Sequence, residues 1–114
     1  MNIEELRNFC LSKKEVTEEF PFDKNTLVFK VNGKMFLLTD IENYESVNLK
    51  CNPEESVLLQ EKYMGIVPGY HMNKKHWITV TVDSDVSNSL LVSLINDSYE
   101  LVSQKIKKNK IKKW

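Results

Sequence analysis

Apolar positions recur along the chain with two spacings, and each spacing predicts its own elements. Asn2 with Glu5 three residues on forms a helix N-cap and capping-box pair, and Ile3, Leu6, Phe9 and Cys10 then share one helical face. That helix is expected to end near Ser12, where Lys13 and Lys14 oppose the C-terminal dipole. Val16, Phe20 and Phe22 predict an extended segment, with Pro21 marking an edge or a strand end. Two apolar runs, Leu27 to Val31 and Lys34 to Leu38, flank Asn32-Gly33. Asn-Gly between such runs predicts a two-residue hairpin, because both turn positions need positive φ. The expected register sets Phe29 opposite Phe36 and Leu27 opposite Leu38. Those four and Val31 then make the core face, and Val28, Lys30, Met35 and Leu37 take the other.

Val47 to Cys51 alternates and predicts a further strand. Asn52 as cap, Pro53 at the first helical position and acids behind it predict a helix to Lys62 or Tyr63. Val57, Leu58 and Leu59 should pack inward, with Gly65 as terminator. A strand is expected from His76 to Asp83, with Ile78, Val80 and Val82 on the core side and Trp77, Thr79 and Thr81 opposite. Leu90, Leu91, Leu94, Ile95, Ser98, Leu101 and Val102 give a helical stripe, capped by Asp85 or Ser87 and running to about Gln104. The order α-β-β-β-β-α-β-α predicts an α+β domain, an antiparallel sheet of about five strands with helices on one face.

Composition fits a single domain over 1–104 with a lysine-rich tail over 105–114. The chain has 114 residues, 41% hydrophobic and 28% charged, ordinary for a globular protein. No apolar run approaches the ~18 residues of a membrane span, and the acidic start lacks a signal peptide's regions, so a cytoplasmic protein with no membrane partner is expected. Cys10 and Cys51 read as reduced, packed thiols. Charge changes the picture more. The 16 basic and 16 acidic residues cancel, yet six lysines and no acid lie between Ser103 and Trp114. The body is therefore acidic and the tail basic. This counts against strong non-specific DNA binding, in which phosphate neutralisation supplies most of the affinity.

The stretch from Pro68 to Trp77 gathers the rarest residues. His71 and His76 are five apart across a turn, with no Cys-x-x-Cys or acidic neighbour, so no metal site is expected. Neither cysteine stands beside a histidine in sequence, and no nucleophile-elbow, P-loop or dinucleotide motif occurs. No catalytic residue and no cofactor is therefore assigned. What remains is a basic-aromatic group, Tyr70, His71, Lys74, Lys75, His76 and Trp77. Lysines can meet phosphate and aromatic faces can stack on bases or pack a partner chain. Equally, Tyr70 and Trp77 can fill a satellite cluster under the loop or tail, and a tail ending in Trp114 can fold back onto Trp77. A small-ligand pocket beneath Pro68-Gly69, lined by Tyr70 and His71, is a third reading.

The chain resembles the MmcQ/YjbR family of small bacterial proteins. The resemblance is carried by Phe20-Pro21-Phe22, the block Val28 to Phe36, Val47 to Glu54, Pro68 to Trp77, and Asp97 to Val102. It implies a CyaY-like or secretion-chaperone-like α/β sandwich, and a DNA-binding role carried by a double-wing surface. Transferred residue by residue, one wing is the Asn32-Gly33 hairpin with Lys30 and Lys34, and the other is the loop from Tyr70 to Trp77. The leading expectation is a non-enzymatic DNA-binding domain using Lys30, Lys34, Tyr70, His71, Lys74, Lys75, His76 and Trp77. The alternative is a protein-interaction or chaperone-like module with an apolar sheet face around Trp77. DNA and another protein are thus the two candidate partners, with a monomer slightly favoured.

Overall fold

The computed structural model of the chain describes residues 1–69 and 72–111. Three helices and six strands follow one another as α1 (Ile3–Leu11), β1 (Val16–Glu19), β2 (Thr26–Val31), β3 (Lys34–Asp40), β4 (Ser46–Lys50), α2 (Pro53–Lys62), β5 (Ile66–Pro68), β6 (Trp77–Thr81) and α3 (Asn88–Ile111). The strands form one sheet in the order β1-β2-β3-β4-β6-β5, with every neighbouring pair antiparallel. The α+β class and the helices on one face are as expected. The sixth strand, β5, was not foreseen. Its three residues are too few to show a period, and only pairing of Ile66 with Val80 and Pro68 with Ile78 makes them a strand.

Local signals formed the ends of the helices. Asn2 accepts from the Glu5 amide and Glu5 reaches back to the Asn2 amide, completing the capping box. Asn52 caps α2 through the Glu54 amide. Ser87, rather than Asp85, caps α3 by accepting from the Leu90 amide. The Asp85 carboxylate instead accepts from the Met64 and Gly65 amides, tying the start of β5 to the β6–α3 turn. Gly65 is accordingly not a left-handed helix terminator. A Cβ there would lie 2.2 Å from the Ser84 hydroxyl, so the position needs a bare backbone for space. The α3 helix continues past Gln104 to Ile111. Tyr70, His71 and Trp114 lie outside the described residues.

The Asn32-Gly33 turn has the expected positive φ at both positions, 51° and 79°. The register beyond it is not as expected. Val31 pairs with Lys34 and Lys30 with Met35, and then a bulge opens between Phe29 and Lys30, so that Phe29 pairs with Leu37 and Val28 with Leu38. Phe36 is the extra residue on β3. A bulge places two residues opposite one and turns consecutive side chains toward the same face. Phe36 and Leu37 therefore both enter the core, and Leu38 moves to the opposite face beside Val28, exchanging the places expected of Leu37 and Leu38.

The main core lies between the sheet and the helices. Leu27, Phe29, Val31, Phe36, Leu37, Val47, Leu49, Ile78 and Val80 supply its floor. Leu6 and Cys10 of α1 and Leu91, Leu94, Ile95 and Val102 of α3 cover it. Phe36 meets Tyr99 edge-on at 5.5 Å between ring centroids. Helix α2 is a correction: Val57 and Leu58 face solvent, Leu59 is only partly buried and Ser56 is the buried residue. Three consecutive apolar residues span too wide an arc to pack on one side of a helix.

Candidate functional site

The bulge and α3 together open the sheet. The β3–β4 ladder runs from Thr39 opposite Val47 to Leu37 opposite Leu49 and stops. In a continued ladder the next pair would be Phe36 with Lys50. The Ser98 hydroxyl of α3 stands between them instead, donating to the Phe36 carbonyl at 2.5 Å and accepting from the Lys50 amide at 2.9 Å. Ser98 is fully buried, so both backbone groups keep a partner without direct pairing. Beyond this wedge β4 follows β6: Lys50 lies opposite Trp77, and the Cys51 amide donates to the His76 carbonyl at 2.8 Å.

A cleft of about 620 Å³ lies at this splayed end. Its basic lining is Lys30 of β2, Lys34 at the hairpin tip, Lys50 at the end of β4, and His76. Its apolar walls include Phe22, Met35, Pro53, Trp77 and Leu101. Lys30 is held 3.2 Å from the Glu19 carboxylate, and this bond, with help from the Thr17 hydroxyl, holds the Glu19 carboxyl below its ordinary range. The Lys50 ammonium lies 5.6 Å from the centroid of the Trp77 ring, within reach of a cation–π attraction.

Trp77 is not the exposed aromatic that its place on the outer face suggested. It is 5% exposed. Its indole packs with Val28 and Leu38, and Met35 and Met72 close around them. The loop before it brings Met72 over the sheet. Gly69 and Trp77 are bonded across the β5–β6 hairpin at 3.0 Å, and a Cβ on Gly69 would approach the Trp77 Cβ to 2.9 Å. Asn73 then turns the chain, accepting from His76 and Trp77 through its carbonyl and from the Lys75 amide through its side chain.

Of the residues singled out in sequence, Lys30, Lys34, His76 and Trp77 meet at the cleft. Lys74 and Lys75 are exposed on the adjoining loop and outside the lining. Tyr70 and His71 fall outside the described residues, so neither their role in the loop nor a pocket formed by them enters the site. Sequence reasoning missed Lys50, Phe22 and Leu101. The alternation of β4 sets Lys50 on the face of Asn48, away from buried Val47 and Leu49, and that was the available signal. Phe22 gave none, because the segment after Pro21 has no period. Leu101 was assigned to the helical stripe, and it lines the cleft, 37% exposed.

A family model described as YjbR matches residues 11–101. The chain belongs to the YjbR family. Among relatives, it is 48% identical over 84 residues to the uncharacterized protein YbdF of Escherichia coli O157:H7, covering 73% of this chain and 69% of that one. It is 32% identical over 101 residues to the uncharacterized protein YjbR of Escherichia coli K12, covering 88% and 86%. The crystal structure of the Deinococcus radiodurans protein DR2400, a DUF419 domain, superposes with a TM-score of 0.84 at 44% identity, covering 91% of this chain and 80% of that one. A Pseudomonas syringae protein follows at 0.76 and 30% identity, covering 90% and 99%. The YjbR fold therefore extends over nearly all of the chain. No helix among the described residues is long and apolar enough to cross a membrane.

The two cysteines of this YjbR domain are free and buried. Burial pushes the Cys10 thiol from an ordinary 9.0 up to about 12. Burial first, then the charges of Glu55 and Asp97, push Cys51 up to about 11. Both folded values lie above the unfolded ones, so the protonated thiols favour the fold below about pH 9. That contribution is lost as pH rises toward 11 and 12. Thiolate is the reacting form. At pH 8, modification of native Cys10 by a disulfide reagent should run roughly a thousandfold slower than in the unfolded chain, from the loss of thiolate alone. A native rate equal to the unfolded one would contradict the burial of Cys10.

Proposed function

We propose that this domain binds nucleic acid without catalysing a reaction on it, through the cleft between the hairpin tip and the Asn73–His76 loop. The observation that carries the reading is convergence: Lys30, Lys34, Lys50 and His76 come from three strands and a loop and line one concavity with the exposed ring of Phe22. Lysines satisfy phosphate oxygens and fix a backbone, and an open ring offers a face to a base. Lys74 and Lys75 extend the same charge along the adjoining loop. The raised thiols support the non-enzymatic reading, since neither cysteine is a ready nucleophile. The acidic body limits the footprint to this one region, so binding should engage few phosphates.

Fluorescence anisotropy with labelled DNA over a salt series tests this. Contact with about three phosphates gives a slope of log K against log salt near −2 to −3. Lys34→Glu should weaken binding and flatten the slope, while the fold is retained because Lys34 is exposed. Binding no tighter than ~100 µM at low salt, or a slope of zero, would end the proposal.

A protein-interaction module is the second reading. Trp77 no longer supports it, because its face is sealed. Val57 and Leu58 on the outer side of α2, with the 92% exposed Met64 just beyond it, are the observation that favours it.

A further inference from the structure

We infer that the cleft receives one unstacked nucleotide, so that the domain prefers single-stranded nucleic acid to duplex. The inference rests on the nucleic-acid reading above and names which form is bound. Its first support is shape. A cleft of about 620 Å³ falls within the range of sites that enclose small molecules. Such a concavity can take a base and its sugar. A duplex offers only base edges and backbone, because its base faces are stacked on one another, and its backbone would meet the rim alone.

The second support is the nature of the walls. Phe22 is 63% exposed and stands in one wall, an exposure that is costly in water and suited to stacking. Met35, Pro53 and Leu101 supply further apolar surface. Base–aromatic stacking depends little on sequence, because every base has a π-face. The third is the placing of charge. Lys34 and Lys50 lie at the same cleft as the ring, so a base against Phe22 brings its own phosphate among cations. Lys74 and Lys75 lie beyond it for the next phosphate along a strand. Lys30, at the same cleft, is ion-paired with Glu19.

The cleft is also held open before anything binds. Ser98 keeps β3 and β4 apart with both backbone groups satisfied, so entry of a base does not require the sheet to break. A preformed site avoids much of the ordering cost of association.

The test uses the whole chain and three fluorescent probes of equal charge per strand: a thymidine 12-mer, a 12-base-pair duplex, and a 12-mer of abasic deoxyribose. Expected is binding of the thymidine strand about tenfold or more tighter than of the other two, in line with one stacked base. Phe22→Ala should remove that advantage, bringing binding of the thymidine strand down to the level of the abasic strand. Phe22 is largely solvent-exposed, and a retained circular dichroism spectrum and melting temperature would confirm that the variant is folded. Equal affinity for thymidine and abasic strands, or tighter duplex binding, would overturn the nucleotide cleft while a salt slope kept the nucleic-acid reading. Failure of all three probes to bind with a salt slope would end both.

Discussion

Replacing Trp77 by alanine is expected to remove about 3–5 kcal/mol of stability, the cost typical of truncating a buried aromatic. Domains of this kind have about 5–15 kcal/mol in total, so the variant should be marginal. The indole is 5% exposed and shares one cluster on the outer face with Val28 and Leu38, against which Met35 and Met72 pack. Removing it would leave Val28 and Leu38 open to water and release Met72 from the sheet. Urea denaturation followed by circular dichroism measures the effect, and Trp77→Phe, which keeps a ring in the cluster, should lose less. A loss below ~1 kcal/mol for the alanine variant is what a solvent-facing side chain would give, and would mean that the outer face is open after all. Because Trp77 also walls the cleft, the phenylalanine variant is the one in which to measure binding.

Ser98→Ala should cost about 2–4 kcal/mol, since it strips one partner each from the buried Phe36 carbonyl and the Lys50 amide. Hydrogen exchange locates the loss. The Lys50 amide should exchange faster in the variant, while the amides within the paired Leu37–Thr39 and Val47–Leu49 segments stay protected. The contrary result is equally readable. If β3 and β4 close on each other and pair Phe36 directly with Lys50, stability will change little and Lys50 will remain protected. The cleft would then narrow, and the proposed binding of nucleic acid would weaken with no basic residue changed. Either outcome shows how far one hydroxyl sets the shape of the site.

Much of the fold was legible in residue order because its signals are local. The capping box at Asn2 and Glu5, the Asn52-Pro53 start of α2 and the Asn32-Gly33 turn each depend on a few neighbouring residues, and each formed as read. The misreadings came where distant residues decide. The alternation of Leu27 to Leu38 is compatible with two registers differing by one residue, and the bulge that selects between them places Phe36 against Tyr99 of a helix far along the chain. In the same way Val57 and Leu58 looked like core because a helix was certain, although which side of it meets the sheet depends on β5, which sequence did not reveal. Of the site, the lysines of the hairpin and His76 were found, and Lys50 and Phe22 were not.

By itself, the sequence determined the class of the domain, the helix caps, the hairpin turn and the segregation of Ile78 and Val80 from Trp77, because hydrophobic period and turn chemistry act over a few residues. The tertiary structure alone decided that Trp77 is sealed rather than exposed, and that four basic residues from three strands and a loop meet beside Phe22. Burial depends on what packs over a side chain, and Met72, from the segment before β6, packs against the Trp77 cluster. The cleft depends on a hydroxyl from α3 standing where two strands would otherwise pair. No spacing within either strand encodes that meeting, since it is made by three segments that come together only when the chain folds.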